Sequence, residues 1–156
     1  MSTIYGLNSV AKYGACFEER FWPYVIPMYQ TQLSAVASAN AVNHRNISYS
    51  YVPNDLLSIK QTLFSGYPLI IGINVYDSMY TTETMTSGDI PMPGPGERML
   101  GGHSFVLMGF DDTTQRFLVM NSWGTKYGKN GWFSIPYQYV LGSGLSRGFY
   151  CISGYV

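Results

Sequence analysis

Charge is scarce in this chain. Of 156 residues, nine are basic and nine acidic. They cancel, and no run of either sign occurs, which argues against a nucleic-acid or membrane-surface footprint. Cysteine is scarcer still: Cys16 and Cys151 permit one disulfide at most. Nothing in their spacing demands that bond, and both are expected as thiols. Two histidines, His44 and His103, with two scattered cysteines offer no zinc-ligand spacing. No metal or cofactor is therefore expected. The sequence also lacks an apolar run of about 18 residues, so no transmembrane helix is predicted. Its first twenty residues mix Asn8, Lys12 and Glu18-Glu19-Arg20 among apolar ones and show no signal-peptide hydrophobic region. No internal repeat and no charged linker divides the chain, and its compartment is not legible.

What is abundant is apolar and aromatic. A hydrophobic content of 46% with 12% charged residues belongs to a globular protein. At this length one domain with a sizeable core is expected. The 14 tyrosines suit strands and half-buried surfaces.

Read in order, Ser2 or Thr3 could cap a helix over 5–13, with Leu7, Val10 and Ala11 at helical spacing and Gly14 as its stop. A loop follows around Trp22-Pro23-Tyr24. Residues 28–43, rich in Ala, Ser and Gln, form either a helix or an irregular surface segment, and His44 reads as a solvated loop residue. The alternation in 47–52 predicts a half-buried strand. Asn54 would cap a helix over 55–65, its stripe of Leu56, Ile59 and Leu63 broken only by Lys60 and its end marked by Gly66. That stripe points to core packing rather than to a partner helix.

The run 68–76 predicts a buried strand, and 81–95, with three prolines, a surface loop. Two apolar arms, 104–110 and 117–120, flank the polar link 111–116 and predict a strand pair. His103 opens the first arm and Asn121 closes the second. If the arms pair antiparallel, imidazole and carboxamide meet at one end of the ribbon. A histidine beside an amide can be held in one tautomer as a proton acceptor. Strands over 131–135 and 149–153, separated by Pro136 and a helical turn at 137–141, complete the reading. Helices early and strands late predict an α+β fold with an antiparallel sheet or open barrel.

The segments Gly102-His103-Ser104-Phe105 and Asn121-Ser122-Trp123-Gly124 resemble the histidine and asparagine motifs of the papain-like cysteine peptidase family. The likeness continues through Tyr127-Gly128-Lys129-Asn130-Gly131-Trp132-Phe133. It extends back through Met92-Pro93, Trp22-Pro23-Tyr24 and Lys12-Tyr13-Gly14-Ala15-Cys16, and so covers roughly residues 6–141. The resemblance implies that His103 is the catalytic imidazole, Asn121 its orienter and Trp123 the shield of their hydrogen bond. It implies a peptide or protein substrate, a barrel lobe over 47–156 and, in 1–46, the remnant of a helical lobe within a single domain.

The same resemblance leaves one member unfilled. In this family the nucleophile lies in a Cys-Gly-Ser/Ala-Cys-Trp/Tyr signature about 130 residues before the histidine. His103 is only the 103rd residue, and nothing upstream matches that signature. No glutamine stands before Cys16 to donate to an oxyanion, and Cys16 matches a later, non-catalytic cysteine of relatives. Cys151 has no motif support. The sequence thus reads as the C-terminal two-thirds of such a peptidase, without the helix that carries the sulfur and inactive alone. Either the nucleophile comes from a separate chain or from an N-terminal portion absent from this reading frame, with a separate chain or self-association covering the missing helix, or the chain is a pseudopeptidase that binds peptides or a partner protein without cutting. A decayed gene product without function is the third reading.

Overall fold

The protein is described here by a computed structural model covering residues 3–45 and 47–155, so Ser2 as a helix cap lies outside the described residues. Two compact units divide the chain: Met1–Tyr49 with Ser153–Val156, and Ser50–Ile152.

In the smaller unit, helix α1 (Thr3–Tyr13) buries Leu7. Thr3 lies within the helix rather than before it. The helix stops at Gly14, whose φ of +81° suits glycine. A Cβ there would fall 1.8 Å from the carbonyl oxygen of Ala41, so the residue is required by close approach as well as by conformation. A short α2 (Glu18–Phe21) and a 3-10 turn at Ile26–Gln30 occupy the expected loop. Of the ambiguous 28–43 segment, only the second half forms a helix, α3 (Ala35–Val42). The Ser34 hydroxyl caps it by accepting from the Ala37 N–H at 3.1 Å. Ala37 and Ala41 are its buried residues, small enough to bring α3 close to its neighbours. Strand β1 (Ile47–Tyr51) follows.

The larger unit begins with α4 (Leu56–Phe64). Its cap is Asp55 rather than the expected Asn54. Asp55 holds the extended conformation of a residue just outside the helix, and its carboxylate accepts from the Ser58 N–H at 2.8 Å. Ile59 and Leu63 enter the core, while Lys60 turns outward to Asp112 at 2.6 Å and lies over the Phe110 ring.

Strands β2 (Leu69–Tyr76), β3 (Met99–Asp111), β4 (Arg116–Met120), β5 (Trp132–Pro136) and β6 (Ser146–Tyr155) complete a six-stranded sheet in the order β1-β6-β2-β3-β4-β5. The ladders from β6 through β2, β3 and β4 to β5 are antiparallel. This is the expected α+β class. One face carries the core, in which Leu69, Ile71, Ile73, Leu107, Phe117, Val119 and Ile135 are inaccessible to solvent.

Three boundaries differ from expectation. β3 starts at Met99, so His103 lies inside the strand instead of opening it. Pairing of Val75 with Gly101 and of Ile73 with His103 extends the strand through two glycines that carry no strand propensity of their own. β6 likewise starts earlier, at Ser146, because β2 offers it partners down to Ile73. Within the expected surface loop 81–95 stands a helix, α5 (Thr82–Ser87). The Thr81 hydroxyl caps it, and buried Thr84 donates its hydroxyl to the Ser78 carbonyl at 2.9 Å. A helix whose buried residue is a threonine leaves no apolar periodicity to read.

Packing of α4 on the sheet gives a direct test. Ile59→Ala removes a wholly buried side chain and should lower stability by about 2–5 kcal/mol, read as a lowered midpoint in urea unfolding. Leu57→Ala, on the exposed side of the same helix, should change it by less than about 0.5 kcal/mol.

Candidate active site

The end of the β3–β4 ribbon brings His103 and Asn121 together. The last ladder pair is Val106 with Met120, so Asn121 continues β4 opposite Phe105. His103, two residues further along β3, is then its diagonal neighbour on the same face, a separation that polar side chains can span. The imidazole Nε2 lies 2.9 Å from Asn121 Oδ1.

The direction of this bond follows from chemistry. The Ser122 backbone N–H donates to the same Oδ1 at 2.8 Å, which fixes that atom as the amide oxygen. An amide oxygen only accepts, so Nε2 carries the hydrogen. In the neutral ring the lone pair then belongs to Nδ1, which no described residue engages in a hydrogen bond. The amide is held for its oxygen alone: Asn121 Nδ2 is buried without a partner among the described residues, a cost of about 1–3 kcal/mol.

Aromatic rings enclose the pair. Trp123 stacks on the imidazole, centroids 4.9 Å apart and planes 30° apart. Phe105 meets the ring edge-on at 4.9 Å. Tyr80 stacks on the outer face of Trp123 at 5.5 Å, and Phe133 and Tyr127 contact the indole edge-on. Of these, Trp123 was expected from sequence. Phe105 and Tyr80 were not: Phe105 reads as core, and Tyr80 lies in a polar stretch far from the histidine motif.

Glu97 holds the segment that carries Tyr80. Its carboxylate accepts from the Ser78 N–H and, at 2.7 Å, from the Gly94 N–H, while Arg98 pairs with Asp77 at 3.1 Å. These bonds tie both ends of the 77–98 excursion to each other just before β3.

Of the other histidine and the two cysteines, His44 and Cys16 belong to the smaller unit and Cys151 to the larger. His44 packs edge-on against Phe17 in the smaller unit at 4.7 Å. Cys16, half-buried, lines an apolar cavity of about 570 Å³ in that unit with Trp22, Tyr24 and Tyr29. Cys151 is buried on β6, its Sγ 3.2 Å from the Ser50 hydroxyl. It pairs with Leu69, whereas His103 pairs with Ile73 on the same β2. Four residues along and two strands across amount to roughly 16 Å. Both cysteines are free, and no group of three potential metal ligands occurs among the described residues. Nor is any described helix long and apolar enough to cross a membrane.

The Glu97 clamp makes a pH-dependent prediction. Hydrogen bonding to the Ser78 side chain first, then to the Ser78 and Gly94 amides, holds its carboxyl below the usual glutamate range. A lowered folded-state value means the clamp contributes fully above the unfolded value and is lost as pH falls through the folded one. Amide exchange at Ser78 and Gly94, corrected for intrinsic rates, should therefore accelerate on acidification below that range. Glu97→Gln should exchange faster at neutral pH and lose the acid-dependent step.

Residues 3–147 match the papain family cysteine protease family. An uncharacterized peptidase C1-like protein of Acanthamoeba polyphaga mimivirus is 30% identical over 155 residues, covering 94% of this chain and 50% of that protein. A gut-specific cysteine proteinase of Caenorhabditis elegans is 28% identical over 98 residues, 59% of this chain and 27% of the relative. The fold superposes on xylellain, a cysteine protease from Xylella fastidiosa, with a TM-score of 0.85 and 29% identity, over 97% of this chain and 60% of that one. The chain thus spans about half the length of the viral relative. Matched by the family model over residues 3–147 and by the xylellain fold over 97% of its length, this chain belongs to the papain family of cysteine proteases.

Proposed function

We propose that the chain supplies the proton-handling half of a cysteine peptidase centre, with His103 as general base and acid, Asn121 as its orienter and Trp123 as the shield of their bond. The observation that carries this reading is the Nε2–H to Asn121 Oδ1 bond at 2.9 Å, which leaves Nδ1 as the basic nitrogen. The sulfur is assigned to polypeptide outside these 156 residues. Cys151 is too far along the sheet to reach the imidazole, and Cys16, although preceded by Gly14-Ala15, is followed by Phe17 rather than by tryptophan or tyrosine and has no glutamine before it. Both units are assigned to one peptidase domain, the smaller as part of its helical lobe.

In this reading Nδ1 takes the proton of the incoming thiol, giving a thiolate and an imidazolium. The thiolate attacks the substrate carbonyl carbon. As the carbon–nitrogen bond breaks, the imidazolium passes its proton from Nδ1 to the leaving amine. Water, deprotonated at Nδ1, then attacks the thioester and releases the acid and the thiol. Asn121 keeps Nε2 protonated throughout, so the reactive lone pair stays on one nitrogen. Stacking by Trp123 excludes water from that bond, and a drier environment strengthens it.

Without the sulfur the chain retains only binding, and the distance of Cys151 from His103 equally supports a non-catalytic, peptide-binding role. One experiment separates the two. The chain is mixed with a polypeptide bearing the Cys-Gly-Ser-Cys-Trp-type signature and assayed on a coumarin-linked peptide, with a thiol-directed epoxide as probe. Turnover should appear only in the mixture, fall by about 10³-fold or more in His103→Ala and fall less in Asn121→Ala. The epoxide should label the added polypeptide. Equal turnover in wild type and His103→Ala, or a His103-dependent adduct on Cys16 or Cys151, would overturn the assignment.

A further inference from the structure

We infer that Arg147 forms a carboxylate-binding site beside His103, selecting peptides with an acidic group within about three residues of the bond presented to the imidazole. This rests on the peptidase reading only for the identity of that bond. Arg147 lies on β6 opposite Gly72 of β2, and Gly72 in turn pairs with Ser104 of β3, the residue after His103. Its guanidinium crosses towards β3. A side-chain carbon built on Gly102, the residue before His103, would come within 3.1 Å of Arg147 Nη2. A Cβ at this position would displace the guanidinium by a few tenths of an ångström, so glycine at 102 lets the cation lie directly against the histidine strand.

The guanidinium is held in place. Nη1 donates to Asn74 Oδ1 at 2.7 Å. Asn74 is itself fixed by its own Nδ2 bond to the Gly144 carbonyl, by its N–H to the Leu145 carbonyl and by the Tyr139 hydroxyl on its carbonyl. Pre-organised donors lose little entropy when a ligand arrives. Yet the charge is unmatched: Arg147 is exposed, and no described carboxylate pairs with it. The acidic groups at this end of the sheet are engaged elsewhere, Asp77 with Arg98 and Glu97 with the Ser78 and Gly94 amides. An arginine with one edge bonded and another open presents a fork suited to a carboxylate.

Covalent geometry sets the reach. From the guanidinium across Gly102 to the His103 ring is at most about 12 Å. An extended peptide advances about 3.3 Å per residue, so the acidic group stands two or three positions from the bond facing the imidazole. Gly102 and His103 point to opposite faces of β3, but the ladder with β4 ends at Val106, so this end of the strand has an open edge around which one extended ligand reaches both.

The test is binding and needs no sulfur. Capped, amidated hexapeptides with an uncharged fluorophore, identical but for one Glu, Gln or Lys, are titrated against the whole chain by fluorescence anisotropy. The Glu peptide should bind about tenfold or more tighter than the Gln peptide, with the margin shrinking as salt is raised. Arg147→Ala should abolish the margin, and Arg147→Glu should shift preference to Lys, with unchanged circular dichroism in both variants. A Gln peptide with a free C-terminus distinguishes a terminal from a side-chain carboxylate, and an Arg147-dependent gain in either upholds the site. His103→Ala should keep the Glu preference. Equal binding of Glu and Gln peptides by wild type, a preference surviving Arg147→Glu, or no binding of any anionic peptide would overturn this inference and leave the peptidase reading standing. Arg147-dependent binding without turnover in the reconstituted mixture would refute only the latter.

Discussion

The geometry of the candidate site depends on a single hydrogen bond, the one donated by His103 Nε2 to the Asn121 amide oxygen. An imidazole has two nearly equivalent nitrogens, and chemistry at one of them requires that the other be committed. Here the commitment is made twice. The Ser122 amide fixes the identity of the asparagine oxygen, and that oxygen fixes the hydrogen on the ring. The orphaned Asn121 Nδ2 is the cost of the arrangement, offset by a sheet in which core residues hold the register to one solution. A slip of one residue between β3 and β4 would send His103 and Asn121 to opposite faces.

The residues of the bond were legible in sequence because two local signals coincide: a histidine before an apolar run, and Asn-Ser-Trp-Gly after its partner run. Its place in the strand was not. Gly101 and Gly102 stand before the predicted arm 104–110, yet β2 recruits them into β3, since ladder pairing with a buried strand outweighs the low propensity of glycine. The α5 helix was illegible for the opposite reason. Thr81, Thr82, Thr84 and Ser87 look like turn chemistry, and they are a helix because a threonine hydroxyl caps it and another is satisfied inside it. Asp55 taking the cap from Asn54 is a displacement of one residue, within what sequence patterns resolve.

Surroundings of the site lay further beyond sequence reading. Tyr80 is separated from His103 by a polar excursion, and only the tertiary fold, with Glu97 clamping that excursion, brings it onto Trp123. Arg147 was silent as well. Its meaning comes from what stands across the sheet: a glycine that leaves room, an asparagine that orients the fork, and carboxylates already spent on other partners. Placed by the same β2 strand that pairs with His103, the cation and the imidazole share one scaffold.

The central claim concerns one proton, and it can be observed directly. Long-range nitrogen–proton correlation NMR on the chain with nitrogen-labelled histidine distinguishes a protonated ring nitrogen from one bearing a lone pair. For neutral His103 the account predicts a protonated Nε2 and a lone pair on Nδ1. The Asn121→Ala variant should relax to a mixture of the two forms. A wild-type spectrum with the hydrogen on Nδ1, or one unchanged by removal of the asparagine, would contradict it.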